Sequence, residues 1–173
     1  SLHQLTPVTA AYETGVFTGS GFGTLTGGVI PVDLALVDPA ISTSACEAAD
    51  FAGLDFSGPN DIALIQRGTC FFSEKAVNAE AAGAEAVIIF NQGNSPTRMG
   101  LIVANASALP DGSPSNLTIP VVGASFPQGV DLAQAGSTAF IDVDPPVQVT
   151  QYNVLAELPG REDGNVVMAG AHL

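Results

Sequence analysis

The chain has 173 residues, which is enough for one domain of ordinary size and too few for two full ones. Apolar residues make up 46% of it, so it can bury a hydrophobic core, and wholesale disorder is excluded. Seventeen acidic residues stand against four basic ones, a formal net charge of −13, so nucleic acid and anionic membrane surfaces are not expected partners.

The first 24 residues are rich in Thr and Gly and predict a linker or a segment of a host domain, with a flexible turn over residues 19–23. They contain neither an initiator Met nor a signal sequence, so we expect either a removed signal or a piece of a longer protein. Residues 29–36 form the next strand-like run, and Pro31 favours an edge position for that strand.

The clearest pattern lies in the middle of the chain. Residues 62–65 and 86–90 are short apolar runs typical of buried strands. Between them, Ser73 is a suitable N-cap for a helix that runs to Ala82, and Gly83 is a suitable C-terminal stop. Strand, helix and strand with short connections predict a βαβ unit whose two strands are parallel.

A similar plan follows in the next part of the chain. Residues 119–122 predict a strand, Ser125 caps a short helix over residues 128–135, and residues 138–143 predict another strand. We therefore expect two βαβ-like units.

The C-terminal part begins with a stiff break. Residues 144–146 read Asp-Pro-Pro and are a candidate domain boundary. Beyond the break, residues 147–156 alternate like a long strand and residues 166–171 predict a buried one.

The two cysteines, Cys46 and Cys70, predict a disulfide rather than two free thiols. A bridge between them would close a loop of about 25 residues and stabilise the fold by roughly 3.5 kcal/mol. Neither cysteine belongs to a C-x-x-C pair, which argues against zinc or thioredoxin chemistry. A bridge also indicates an oxidising compartment, so we expect a secreted protein, and the Lys-poor, Ala-rich composition favours a bacterial source.

About a hundred residues, from Ser44 to Val143, resemble a protease-associated (PA) domain. The residues that carry the resemblance are 46–51, 61–72, Lys75, Ala79, 82–84, 87–91 and 119–122. The resemblance implies an α+β fold, a small β-barrel or sandwich flanked by short helices, which we place at residues 25–146. It also implies a non-catalytic domain that acts as a lid, a docking surface or a cargo-binding module.

The tail carries a second resemblance. Residues 152–160 and 166–173 resemble the opening of a two-zinc aminopeptidase domain of the aminopeptidase Y type, so we expect residues 147–173 to be its truncated start. In that family the residue that matches His172 is a zinc ligand. One histidine cannot hold catalytic zinc, so we expect no metal, no cofactor and no peptidase activity in this chain. Zinc is expected in the full-length parent, with His172 as one ligand.

Candidate interface residues cluster around the cysteine motif: Arg67, Gly68, Phe71, Phe72 and Asn91. Two of the four basic residues, Arg67 and Lys75, lie close to Cys70 in sequence. They form surface ion pairs with Glu74 or Asp61, or they recognise a peptide carboxylate or a partner's acidic group. Phe71 and Phe72 are adjacent, so we expect one in the core and the other exposed.

The leading hypothesis is a PA domain inserted in a secreted zinc aminopeptidase, where it controls substrate access. Its expected partners are the protein's own peptidase domain and peptide or protein substrates. The alternative is a stand-alone PA module of a sorting receptor that captures peptides or cargo. An inserted domain leaves and re-enters its host at nearby points, so we expect the segment before Gly19 and the chain after Pro146 to emerge on the same side.

Overall fold

The structure is a computed structural model and describes residues 1–150. Two α-helices, α1 (Phe72–Ala82) and α2 (Phe126–Leu132), accompany eight strands. The strands are β1 (Leu2–Thr6), β2 (Ala10–Tyr12), β3 (Gly15–Val16), β4 (Gly23–Val32), β5 (Ile62–Gln66), β6 (Ala86–Phe90), β7 (Val121–Ala124) and β8 (Thr138–Val143).

All eight strands belong to one mixed sheet in the order β2-β1-β8-β4-β5-β6-β7-β3. The α+β class is therefore confirmed. The sheet curls into a half-barrel and does not close, because β2 and β3 remain its two edges. The expectation was a small β-barrel or sandwich flanked by short helices, and the structure has this curled half-barrel with two short α-helices.

Strands β5, β6 and β7 are parallel neighbours, and α1 connects β5 to β6. The expectation of two βαβ-like units is not confirmed, because β7 and β8 are not neighbours. Strand β8 instead lies antiparallel between β1 and β4. The position beside β7 is taken by β3, and β8 alternates so that Ala139, Ile141 and Val143 enter the core.

The N-terminal segment is part of the sheet. Strand β1 pairs with both β2 and β8, and its Leu2 and Gln4 side chains are buried. These strands are short and carry a weak local signal, and β1 takes its position from the ladder with β8. The assignment of residues 1–24 to a host domain stays a prediction.

Strand β4 is longer than expected and lies inside the sheet. Its first half, up to Gly28, pairs with β8, and its second half, from Val29, pairs with β5. Pro31 occupies the second half, where the ladder to β8 has ended, so its missing N–H costs no sheet hydrogen bond.

Both helices begin near the predicted caps. Helix α1 starts two residues earlier than expected, because Glu74 Oε2 accepts a hydrogen bond of 2.9 Å from the Phe71 N–H. It stops as predicted at Gly83, whose φ of 105° is left-handed. In α2 the predicted cap Ser125 is confirmed, since its Oγ accepts from Gln128 N at 3.4 Å.

Two apolar clusters form the core, one on each face of the parallel strands. Successive side chains of β5 point to opposite faces, so Ala63 and Ile65 belong to one cluster and Ile62 and Leu64 to the other. The first cluster includes alanines of α1, whose small side chains let the helix approach the sheet closely. The second includes Leu132 of α2.

The strand ends nearest the bounds of the predicted domain lie side by side, while the insertion of this domain into a host stays a prediction. Gly23 at the start of β4 pairs with Val143 at the end of β8. Residues 144–150 are without regular structure, so the strand predicted for residues 147–156 is absent from its first four residues. Its remainder, the strand predicted for residues 166–171, and His172 lie outside the described residues.

A candidate interaction site at the carboxyl end of the parallel strands

Arg67 and Asn91 directly follow β5 and β6, so the parallel arrangement places them together at the carboxyl end of these strands. The Arg67 N–H donates to the Phe90 carbonyl at 2.8 Å, which holds the two loop starts in register. The Arg67 guanidinium donates to Asn91 Oδ1 at 3.4 Å and lies 5.8 Å from the centroid of the Phe72 ring. Three of the five predicted interface residues thus form one cluster.

A second cation joins this cluster. Arg98 ends a short 3₁₀ helix, Pro96–Arg98, and donates to Gln92 Oε1 at 2.8 Å. Partial burial lowers the pKa of Arg67, and the nearby positive charge of Arg98 lowers it further. Sequence reasoning missed Arg98. Its rarity as one of four basic residues was the signal that could have found it.

Phe71 is exposed, as expected of one of the two phenylalanines, and Phe72 is half-buried at the border of the core. Phe72 packs edge-to-face on the core residue Phe17, with ring centroids 5.4 Å apart, while the Phe71 side chain is 62% exposed. They occupy the N-cap and first position of α1, so the turn into the helix separates them, and no strand alternation is involved. Phe71 therefore presents an apolar surface beside the helix start.

Gly68 shapes the loop and has no side chain to offer a ligand. A Cβ at this position would lie 2.0 Å from the Ser42 carbonyl oxygen. The next residue, Thr69, donates its N–H to that same oxygen at 3.1 Å. Only glycine permits this approach, so Gly68 positions the neighbouring Arg67.

The Cys46–Cys70 disulfide is present, with a Cα–Cα distance of 5.7 Å, and it ties the irregular segment to the loop before α1. The prediction of a bridge is confirmed.

Lys75 takes no part in the surface site. Its side chain is fully buried, and its Nζ donates to the Ser44 carbonyl and lies 3.6 Å from Cys46 Sγ. Burial lowers its pKa to about 8, against the opposing effects of Asp50, Glu74 and Asp33. The expectation of a surface ion pair or a ligand contact for Lys75 is therefore wrong, since its ammonium group is buried and donates to a backbone carbonyl in the interior.

The sequence model of the PA domain matches residues 32–132, more than half of the chain. The chain belongs to the PA domain family. All five predicted interface residues of this PA domain lie within the matched range.

The relatives of this PA domain are aminopeptidases. An aminopeptidase of Pseudomonas aeruginosa (strain UCBPP-PA14) is 46% identical over 153 residues, which is 87% of this chain and 27% of that protein. The solved aminopeptidase from Aneurinibacillus sp. strain AM-1 is 28% identical with a TM-score of 0.59, covering 82% of this chain and 29% of that one. BSAP, a zinc aminopeptidase from Bacillus subtilis, is 26% identical with a TM-score of 0.59, covering 83% and 30%. The chain thus spans about a quarter to a third of each of these proteins.

The described part of the PA domain offers no site for zinc. Within residues 1–150, no three His, Cys, Asp or Glu side chains are placed so that they could hold a metal ion. The expected ligand His172 lies beyond that range. None of the helices in the same range has the length and apolar character that a bilayer crossing requires.

Proposed function

We propose that this PA domain is the non-catalytic substrate-access and interaction module of a secreted zinc aminopeptidase. The observation that carries the proposal is the proximity of Arg67 to Arg98, with Phe71 exposed four residues after Arg67, in a protein whose relatives are aminopeptidases. The cofactor zinc and the catalytic groups belong to the rest of the parent enzyme, and His172 is one proposed ligand.

The chemistry of the arginine pair fits a carboxylate. Every linear peptide substrate of an aminopeptidase ends in a carboxylate unless it is modified, and a guanidinium presents a planar fork to such a group. Side-chain amides of Asn91 and Gln92 hold the two guanidinium groups. These amides carry no charge, so they orient the cations without neutralising them.

The surroundings favour a peptide as the ligand. The chain carries a net charge of −13, so an acidic group approaches favourably only where positive charge is concentrated. The Phe72 ring lies 5.8 Å from the Arg67 guanidinium, and the exposed Phe71 at the start of α1 supplies further apolar surface. A peptide C-terminus combines both features, a carboxylate and an adjacent side chain.

The described residues argue against catalysis by the domain itself. The candidate nucleophile Cys70 is bonded in the disulfide, and Ser73 is buried in α1. Among residues 1–150 the single histidine is His3, which packs on Phe140 in the sheet and lies on a different element from both candidates. Within residues 1–150, a nucleophile at either position would therefore lack a histidine base on its own element.

Secretion is part of the proposal. The disulfide Cys46–Cys70 persists in an oxidising compartment and not in a reducing cytosol. The alternative of a sorting receptor gains no support, because the relatives reported above are named aminopeptidases.

The first test removes the domain from the full-length enzyme. If the domain controls access, its deletion changes the ratio of kcat/KM for a long peptide to kcat/KM for a single-residue chromogenic substrate. An unchanged ratio would refute the proposed access function.

The second test addresses the arginines. For one peptide prepared as the free acid and as the C-terminal amide, the full-length enzyme should prefer the acid. In Arg67→Ala and Arg98→Ala variants we expect that preference to fall about tenfold, the effect of losing one charge-assisted hydrogen bond worth ~1.4 kcal/mol. Arg67→Lys is the matched control, since it keeps the charge and loses the fork. An equal preference in all variants would show that the arginines do not read the carboxylate.

A further inference from the structure

We propose that the amino end of the parallel strands carries the surface on which the peptidase domain of the same protein docks. The surface is a groove of about 300 Å³ whose lining includes Val16, Phe17, Phe22, Val143, Asp144 and Pro146. This docking groove rests on the proposed function, since that function supplies the peptidase domain.

The position of the groove follows from strand register. Gly21 bridges Pro120, which immediately precedes β7, and Gly23 pairs with Val143 at the end of β8. The groove therefore lies at the end of the sheet where the parallel strands begin. Arg67 and Asn91 lie at the other end, where those strands stop.

The docking groove is apolar and open to solvent. The Phe22 side chain is 59% exposed, and Val16 on the edge strand β3 is also exposed. Val103, another exposed residue, lies against Gly15 and extends this surface along the edge. Of the described residues that line the groove, Asp144 is the one with a charge. An apolar surface of this kind on an otherwise acidic protein indicates a contact site.

Chain connectivity selects the occupant. Asp144 and Pro146 line the groove and lead from β8 towards residue 151, so whatever follows this domain begins beside the groove. The matched P. aeruginosa aminopeptidase is almost four times longer than the matched segment, which covers 27% of it. A domain attached at this point is present at high effective concentration and needs only a modest apolar contact to stay docked.

Charge argues against a second copy of the chain as the occupant. Two copies would each bring a net charge of −13 to the interface, and their repulsion opposes association. A covalently attached domain avoids the cost of free association and can carry the complementary charge.

The test measures the accessibility of single cysteines in the full-length protein. Phe22→Cys places a thiol in the docking groove. Val8→Cys is the matched control, because Val8 is 61% exposed and follows β1 at the opposite end of the sheet. Both native cysteines of this chain are bridged, so a maleimide reports the introduced thiol after subtraction of the rate of the unsubstituted protein.

We expect the Phe22→Cys thiol to react at least tenfold more slowly than the Val8→Cys thiol, and at the same rate as the control after unfolding. Protection that persists on hundredfold dilution supports docking within one molecule. A difference smaller than tenfold would overturn the proposal. Protection lost on dilution would overturn it by showing that a second copy occupies the groove. Protection that appears only with added peptide would overturn it by showing that a substrate does. If Phe22→Cys fails to fold, Val16→Cys makes the same comparison.

The measurement uses neither activity nor a substrate in its main comparison. A failure of docking therefore leaves the acid-to-amide preference untouched, and a failure of that preference leaves the thiol protection untouched.

Discussion

The two ends of the parallel strands carry different surfaces. At the carboxyl end, the loops after β5 and β6 bring together two arginines, two side-chain amides and exposed Phe71. At the amino end lie an apolar groove and the pairing of Gly23 with Val143. The difference separates a surface suited to charged ligands from one suited to a covalent neighbour.

The cause of this difference is topological. Parallel strands align their carboxyl ends at one edge, so the polar residues that follow each strand converge there. The amino end receives the antiparallel partners β4 and β8, whose ends lie side by side. The predictions below change groups at or near the carboxyl end, and the disulfide and Lys75 predictions also ask whether the amino end responds.

The largest expected effect comes from the disulfide. Reduction, or the double change Cys46→Ser and Cys70→Ser, should lower the free energy of unfolding by about 3.5 kcal/mol in urea titrations. The reason is that the unfolded chain regains conformational entropy when the bridge between residues 24 positions apart is removed. Hydrogen exchange should rise around Cys70 and stay constant around Phe22. An equal rise at both ends would show that they do not behave as separate regions.

The same disulfide also tests the prediction of an oxidising compartment. Thiol titration of the unreduced, denatured chain should find no free thiol, and the double serine variant should be insensitive to reductant. Two equivalents of thiol would contradict both the bridge and the argument for secretion.

The next effect comes from Gly68. Gly68→Ala should lower the free energy of unfolding by about 2 kcal/mol, since the added methyl group would lie 2.0 Å from the Ser42 carbonyl and must displace the loop. It should also weaken the acid-to-amide preference, because Arg67 moves with the loop. Gly28→Ala is the control, as its added methyl group meets nothing within 4 Å. Equal destabilisation by both changes would remove the proposed positioning effect of Gly68.

The smallest effect concerns pH and Lys75. Its pKa is lowered to about 8 in the folded protein from 10.5, so above pH 8 the unfolded chain binds more protons and stability rises with pH. We expect an increase of about 1 kcal/mol per pH unit between pH 8 and 9.5. Tyr12 has a raised pKa, so its contribution has the opposite sign and begins to reduce the slope as the pH approaches the ordinary tyrosine value of 10.0.

Lys75→Met should abolish that slope in unfolding titrations at each pH. A slope that persists in Lys75→Met would assign the pH dependence to other groups. The amino end should show the same hydrogen exchange across this pH range, because Lys75 contacts Ser44 and Cys46 near the carboxyl end.

Local sequence signals accounted for the central part of the fold. Two short apolar runs, an alanine-rich segment between them and Gly83 were sufficient to predict β5, α1 and β6, because these features act over a few residues. Ser125 identified the start of α2 for the same reason. The start of α1 was displaced by two residues, because the Glu74 side chain caps the Phe71 N–H and Ser73 turns into the interior.

Long-range pairing explains the elements that the sequence did not reveal. Strand β1 has few strong strand formers and owes its place to β8, more than a hundred residues away. The predicted second βαβ unit is not confirmed, because β3 and not β8 pairs with β7 on its outer side. The local sequence of these strands determines neither the pairing of β1 with β8 nor the pairing of β3 with β7.

The candidate site shows the same division. The cysteine motif located Arg67, Gly68 and Phe71, and two isolated cysteines were enough to predict the bridge. Tertiary packing decides whether a cationic side chain is exposed or buried. It buries Lys75 and places Arg98 in the cluster with Arg67. The sequence by itself thus determined the central strands, the family and the disulfide, since these depend on residue type and short spacing. Only the tertiary structure decided the strand order, the two contrasting ends and the cations at the site, because these depend on which distant segments compete for the same neighbour.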